Sequence, residues 1–260
     1  MSEHIRYEVD GKVGTITIDR PEKRNAMTYA ILNEFIEAIG TAGQDPATTV
    51  VVVTGVPGAF CAGTDLSDLD ATPSAKRGLR GTATERHRWW PLIECPKPTI
   101  CAVDGPAVGM GAEFTSQCDL RLASTSASFA WNFVHRGLVP DTGAGTWLLP
   151  RLVGLQTALR LIYTGERIDA AEAQRIGYVL DVVSPDDLAG ATRSLAESVA
   201  AASPHSQQLI KTLVYEGLTA SVDEHMVRHT EAITKCFASE DHREGVASFL
   251  ERRPAVFTGR

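Results

Sequence analysis

No purely apolar run in this chain is longer than the four residues Val50–Val53, so no segment reads as a membrane-spanning helix, which needs about 20. The opening MSEHIRYEVD lacks the basic and then apolar regions of a secretion signal, and the expected compartment is the cytoplasm. The five cysteines (Cys61, Cys95, Cys101, Cys118, Cys236) are odd in number and never spaced CxxC. That argues against a disulfide framework or a zinc ribbon and suggests small buried apolar groups. There is no GxxxxGK[ST] phosphate loop, no GxGxxG dinucleotide fingerprint and no HExxH helix. Positive charge is also short: a formal net charge of −7 disfavours nonspecific nucleic-acid binding. It leaves room for a local basic patch, for which Arg20, Lys23 and Arg24 are candidates.

What is present suffices for a full core. At 260 residues with 43% apolar side chains, the chain fits one large domain with at most a smaller appendage. IRYEVDGKVGTITIDR alternates around Asp10-Gly11 and reads as a hairpin. Met27, Ala30, Ile31, Phe35, Ala38 and Ile39 recur at helical spacing after Pro21, and strand Val50–Thr54 follows the loop TAGQDPAT. Strand Thr99–Val103, helix Met110–Gln117 and strand Leu120–Ala123 repeat the theme, so the expected class is mixed α/β built from strand, strand, helix units. Leu66–Arg88, rich in charge, Ser, Thr and Gly, reads as a mobile loop or loose helix. From about Asp186 strand signals vanish. Ser203-Pro204 and Ser221 punctuate an all-helical tail too thin to make its own core, which should dock on the body or on a sister subunit.

Two stretches carry the chemistry: VVVVTGVPGAFCAGTD at 50–65 and DGPAVGMGAE at 104–113. Each runs an apolar strand into a glycine-rich turn and a helix start, which leaves backbone N–H groups unpaired and aimed outward. Two such turns can hold one oxygen anion between them. Without further information they could equally be tight connections only.

AFCAGTDL at 59–66, GPAVGMGAEFTSQCDLRLAS at 105–124 and GLVPDTGAGTWLLPRLVG at 137–154 together resemble the crotonase (enoyl-CoA hydratase/isomerase) superfamily. The resemblance runs from RPEKRNAM through the tail FLERRPAVFTGR. It implies an α/β spiral of ββα units over residues 1–195 and a C-terminal all-helical trimerisation region over 196–260. The assembly would be a homotrimer or a dimer of trimers. A coenzyme A thioester would lie across the glycine turns as substrate, with no separate cofactor and no metal.

By motif position, the amides of Ala62 and Met110 form the oxyanion hole, where they would stabilise the enolate created by proton abstraction next to the thioester. Glu113, in the first turn after Met110, matches one catalytic glutamate of the family's hydratases; by itself it could merely complement the helix dipole. Aligning on Phe129 and Gly137 puts Phe133 where those hydratases carry a second glutamate. That weakens hydration, which shares its work between two carboxylates, relative to a double-bond shift. Asp141 matches the position of the working carboxylate in some isomerases and a hydrolytic dehalogenase of the superfamily, or it is a turn residue bonding its own backbone.

Phe133, Trp131, Trp89 and Trp90 are candidates for an apolar acyl pocket, with ordinary core packing as the alternative for each. For the coenzyme A end, the resemblance suggests Lys23 or Arg24, the Asp65-Leu66 backbone, and Phe257 with Arg260, the last pair from a neighbouring subunit. His225 and His229 have i, i+4 spacing without a third ligand, which favours a surface helix over a metal site. A thiol nucleophile at Cys61 with His135 or His87 as base is disfavoured, because the resemblance puts a packed side chain there. The sequence thus points to an enoyl-CoA isomerase or hydratase, with an acyl-CoA hydrolase using Asp141 and a noncatalytic acyl-CoA-binding protein as alternatives.

Overall fold

A computed structural model describes residues 3–67 and 89–260. The hairpin forms as β1 (Ile5–Asp10) against β2 (Val13–Ile18), antiparallel, with Asp10 opposite Val13. The two loop residues are therefore Gly11 and Lys12, one position on from the dipeptide that signals the turn. Strands β3 (Val50–Gly55), β4 (Thr99–Val103), β6 (Leu120–Ser124) and β9 (Asp181–Val183) extend β2 in parallel, giving a six-stranded sheet ordered β1-β2-β3-β4-β6-β9.

Sheet parallelism explains the unbroken valine run. Val51 and Val53 face one cluster with α1 (Tyr29–Gln44), while Val50 and Val52 face another with α5 (Pro185–Ala200), so the valine run is buried on both faces. Helix α1 starts at Thr28, whose hydroxyl accepts from the Ile31 N–H, and buries Ile31, Leu32, Phe35, Ala38 and Ile39.

After β4 the chain leaves the large sheet through Asp104-Gly105 and enters a small one, β5 (Pro106–Val108), β7 (Ser128–Ala130) and β8 (Ile168–Asp169), ordered β5-β7-β8. Between β5 and β6 lies α2 (Met110–Gln117), every residue of which is buried. Arg121 closes its far end, donating to the carbonyls of Thr115 and Cys118 from beneath the Tyr178 ring. β1-β2-α1 and β4-β5-α2 are the expected ββα units. Among the short helices that follow are α3 (Ala144–Trp147) and α4 (Leu155–Thr164).

The C-terminal region is helical as expected: α6 (Pro204–Gly217), α7 (Val222–Ala238) and α8 (Glu240–Glu251), capped by Ser203, Ser221 and Ser239. The expected division at 195 falls inside α5. Ala196 and Ala200 of that helix pack on Val50, Val52 and Ile100, so the core continues to its end. Helix α6 is bolted to the core by Lys211, whose buried Nζ donates to the carbonyls of Leu92 and Lys97 and to Asp119 Oδ2 at 2.9 Å. Helices α7 and α8 instead present Val222, Met226, Phe237, Phe249 and Leu250 outward, with Phe249 82% exposed.

Among the described residues no helix is long and apolar enough to cross a membrane. The loop or loose helix expected over 66–88 falls, from residue 68 on, outside the described residues, and so does His87.

Candidate active site

The first glycine turn can be audited amide by amide, since a buried N–H must go somewhere. Phe60 and Cys61 donate to the Pro106 carbonyl, Ala62 donates to the Arg24 carbonyl at 3.0 Å, and Asp65 donates to the Met27 carbonyl at 2.8 Å. Gly63 N–H lies 3.4 Å from Cys61 Sγ. The Ala62 amide expected in the oxyanion hole is thus already spent on the chain's own backbone. Thr64 is the one residue of 59–65 whose N–H has no partner among the described residues. The motif had located the turn correctly and its free amide two positions early.

In the second turn, Val108 donates to the Cys61 carbonyl and Gly109 to the Ala130 carbonyl, whereas the amide of Met110, the first residue of α2, has no partner among the described residues. The two turns touch. A Cβ built on Gly63 would stand 3.7 Å from Met110 N, and one on Gly111 would stand 2.2 Å from the Cys61 carbonyl oxygen, so only glycine permits this approach at Gly111. The free amides of Thr64 and Met110 accordingly belong to adjoining turns, with the positive end of α2 behind the second.

Behind the first turn sits a clamp that composition could not reveal. Arg20 Nη1 donates to Asp65 Oδ2 at 2.8 Å and to the Ala26 carbonyl, and buried Asn25 donates to the Ala59 carbonyl at 2.7 Å. Arg24 and Asn25 are both held left-handed, at φ 49° and 57°. Asn tolerates this region, whereas for Arg24 it is backbone strain of the kind that persists only when surroundings enforce it. Ser67 and Arg20 hold the Asp65 carboxyl down to about 2. Asp65 therefore secures the loop with both its amide and its carboxylate, and its N–H is not available to coenzyme A. Leu66 is more than half exposed.

Glu113 is completely buried on α2, four residues before Gln117 on the same face. Its Oε2 accepts from the Thr142 hydroxyl at 2.7 Å, and its Oε1 has no hydrogen-bond partner. Burial, and then the nearby Asp141 carboxylate, push it up to about 8, offset in part by the Thr142 hydroxyl and by the Gly145 and Ala144 N–H groups, which lie near the carboxylate without closing a hydrogen bond to Oε1. Burial also raises Asp141, to about 6, and its Oδ1 is unpartnered. The structure thus brings Glu113 and Asp141 together, from a helix and from the loop before α3, into one desolvated site.

The aromatics divide. The Phe133 ring tip lies 3.8 Å from where a Gly109 Cβ would be, beside the free Met110 amide, so an apolar ring stands where a second carboxylate was expected in a hydratase. Trp131 is fully buried, edge-on to Tyr178 at 5.1 Å and 3.0 Å from a Gly145 Cβ; it is core that backs Glu113. Trp90 donates from Nε1 to the Thr142 carbonyl at 3.0 Å and packs on Trp147, and the Trp89 carbonyl accepts from Gln117 Nε2 at 3.0 Å. Both tryptophans brace the Asp141–Thr142 loop.

Lys23 and Arg24 are exposed on the loop whose carbonyl receives the Ala62 amide. Phe257 and Arg260 lie on the helical region instead. Phe257 lines a concavity of about 460 Å³ with Ser203, Cys236, Asp241 and Phe249, and Arg260 pairs with Glu240 at 3.5 Å. Within one chain neither has a hydrogen bond or ion pair to Glu113 or Asp141 among the described residues. Cys61 is fully buried with its thiol pushed up to about 12 by burial, and His135 bonds the Thr164 carbonyl, which leaves no activated thiolate there. His225 and His229 stack on α7 with ring centroids 6.3 Å apart.

Residues 8–260 match the family model described as enoyl-CoA hydratase/isomerase. The chain belongs to that family. It is 36% identical over 265 residues to a probable enoyl-CoA hydratase of Rhodobacter capsulatus, covering 100% of both chains. It is 34% identical over 264 residues to a 1,2-epoxyphenylacetyl-CoA isomerase of Escherichia coli, again covering 100% of both. A crystal structure of an enoyl-CoA hydratase from Bacillus anthracis superposes with a TM-score of 0.92 at 30% identity, covering 99% of this chain and 100% of that one. The protein is accordingly an enzyme of the enoyl-CoA hydratase/isomerase family with the family's crotonase fold.

Three participants escaped the sequence reading. Gln117 was within reach, because i, i+4 spacing from Glu113 puts both on one helix face. Thr142 and Thr64 carried no local signal; only the hydrogen-bond account singles them out.

Proposed function

We propose that this chain isomerises the double bond of an enoyl-CoA thioester. Its carbonyl would be held by the Thr64 and Met110 amides, with Asp141 as base and Glu113 as acid. The observation that carries the reading is the split pair: near pH 7 a carboxyl raised to about 6 is mostly ionised, while one raised to about 8 mostly keeps its proton. Asp141 takes a proton from C2, the electrons of that C–H bond move into the thioester as a dienolate, and Glu113 returns a proton at C4. Asp141 then passes its proton back to Glu113, and the cycle closes without a net change. Phe133 beside the oxyanion donors keeps water out, which favours proton return over water addition.

Hydration of a 2-enoyl-CoA is the second reading, favoured by the hydratase named among the relatives in R. capsulatus. Coenzyme A enters as part of the substrate, and exposed Lys23 and Arg24 with Leu66 would meet its nucleotide end. The apolar residues left outward on α7 and α8 support a homotrimer or a dimer of trimers, in which Phe257 and Arg260 would complete a neighbour's site. A cytoplasmic location belongs to the same proposal.

The test is to supply 2-enoyl-CoA and 3-enoyl-CoA separately to wild type, Glu113→Gln and Asp141→Asn, following products by mass. Double-bond migration reduced on the order of 10²–10⁴-fold by either change supports the isomerase. Water addition lost mainly in Glu113→Gln supports the hydratase. Thioester cleavage dependent on Asp141, or tight binding without turnover on a broad acyl panel, would replace both.

A further inference from the structure

We infer that Thr142 and Gln117 are positioning residues that fix which oxygen of Glu113 carries its proton, namely Oε1. The inference rests on the acid role given to Glu113 above. It begins at Gln117, whose amide is fully buried with one end 3.0 Å from the Trp89 carbonyl. A carbonyl only accepts, so the end facing it is the NH₂ group. The same NH₂ reaches the Thr142 hydroxyl oxygen at 3.4 Å, and the Ala144 N–H reaches it at 3.2 Å.

A threonine hydroxyl offers two lone pairs and one proton. Both lone pairs of Thr142 face N–H donors, so its proton has a single outlet, Glu113 Oε2 at 2.7 Å. A proton on Oε2 would point at a hydroxyl with no acceptor capacity left. It therefore resides on Oε1, the oxygen without a partner, which stands 2.4 Å from where a Gly145 Cβ would be. When Glu113 acts as acid, the Oε1–H bond breaks, the electron pair stays on the carboxylate, and the Thr142 hydrogen bond is already in place to stabilise it. Trp90, holding the Thr142 carbonyl at 3.0 Å, keeps the hydroxyl from turning away.

The experiment follows the Glu113 carboxyl carbon by NMR in protein labelled with ¹³C at the glutamate carboxyls, the resonance being assigned by its loss in Glu113→Gln. Thr142→Val removes a donor to the carboxylate, so the Glu113 titration should move upward. With 3-enoyl-CoA, kcat should fall on the order of 10-fold to 10²-fold with KM little changed, as expected of a displaced acid. Thr142→Ser, which keeps the hydroxyl, should restore both. Gln117→Leu frees one lone pair of Thr142 and should also move the titration. Because the titration needs no substrate, it stands even if neither enoyl-CoA turns over, a result that would overturn the reaction and not this network. An unchanged titration in Thr142→Val and Gln117→Leu, or a loss that serine does not recover, overturns the network.

Discussion

Adding one methyl group at Gly145 should separate catalysis from folding. Its Cβ would stand 2.4 Å from Glu113 Oε1, 3.0 Å from Trp131 Cδ1 and 3.2 Å from Pro140 Cβ. Restoring ordinary contact of 3.4 Å requires the carboxyl to move by about 1 Å, since the ring edge and the proline close the other directions. Trp131 is fully buried against Tyr178 and cannot yield cheaply. Overpacking of this kind costs about 1–3 kcal/mol of stability, and a 1 Å misplacement of a reacting group costs on the order of 10²-fold in rate. For Gly145→Ala we therefore expect Tm to fall by roughly 2–12 °C and kcat by about 10²-fold, with KM nearly unchanged. Thermal unfolding and steady-state kinetics on 3-enoyl-CoA measure both. A Gly145→Ala protein with wild-type kcat would show that Glu113 does not need its present place.

Other predictions follow from the two carboxyls and the loop clamp. With Asp141 at about 6 and Glu113 at about 8, kcat/KM should rise with pH through the first value and fall through the second, and Asp141→Asn should abolish the acidic limb. Glu113 holds its proton more tightly when folded, at about 8 against an ordinary value of 4.5, so its contribution to stability is full below about 4.5 and declines as pH rises through about 8. Glu113→Gln should accordingly raise Tm relative to wild type at pH 9 and change it little at pH 4, as read by calorimetry. Asp65 has the opposite sign: its folded value of about 2 lies below the ordinary 3.8, so the stability it adds is present above 3.8 and is lost as pH falls through about 2. Asp65→Asn should lower Tm at pH 7 and should also weaken substrate binding, because the clamp holds the Thr64 turn.

How far the sequence could be read depended on the range of the interactions involved. Helix Met110–Gln117 and strand Thr99–Val103 were legible to the residue, because glycine before the one and unbroken apolar character in the other are local signals. The strands of two or three residues, β5, β7, β8 and β9, were not, since so short a run has no periodicity and is set by its partner. Ala62 shows the same limit within the site. A motif tells where the turn is, but which of its amides stays free depends on the Arg24 carbonyl, brought up from nearly forty residues earlier by a strained loop. Asp65 and Trp90 likewise turned out to hold loops in place through partners 45 and 52 residues away in sequence.

Phe133 and Asp141 together show why this site can change chemistry without changing its frame. The amides proposed to hold the enolate oxygen are main-chain groups, so replacing a neighbouring carboxylate does not remove them. The aromatic ring of Phe133 puts an apolar group near Met110, and Glu113 is fully buried. A lone buried carboxyl simply stays protonated and idle as a base. In the proposed mechanism Asp141, on a loop with its carboxylate desolvated but less strongly raised, is the ionised partner of Glu113. Its charge in turn is the second cause of the high Glu113 value, so each group sets the other's role. Asp141→Asn should therefore do more than remove a base: it should lower the Glu113 titration as well, and the ¹³C signal that reports the Thr142 network would read that shift directly.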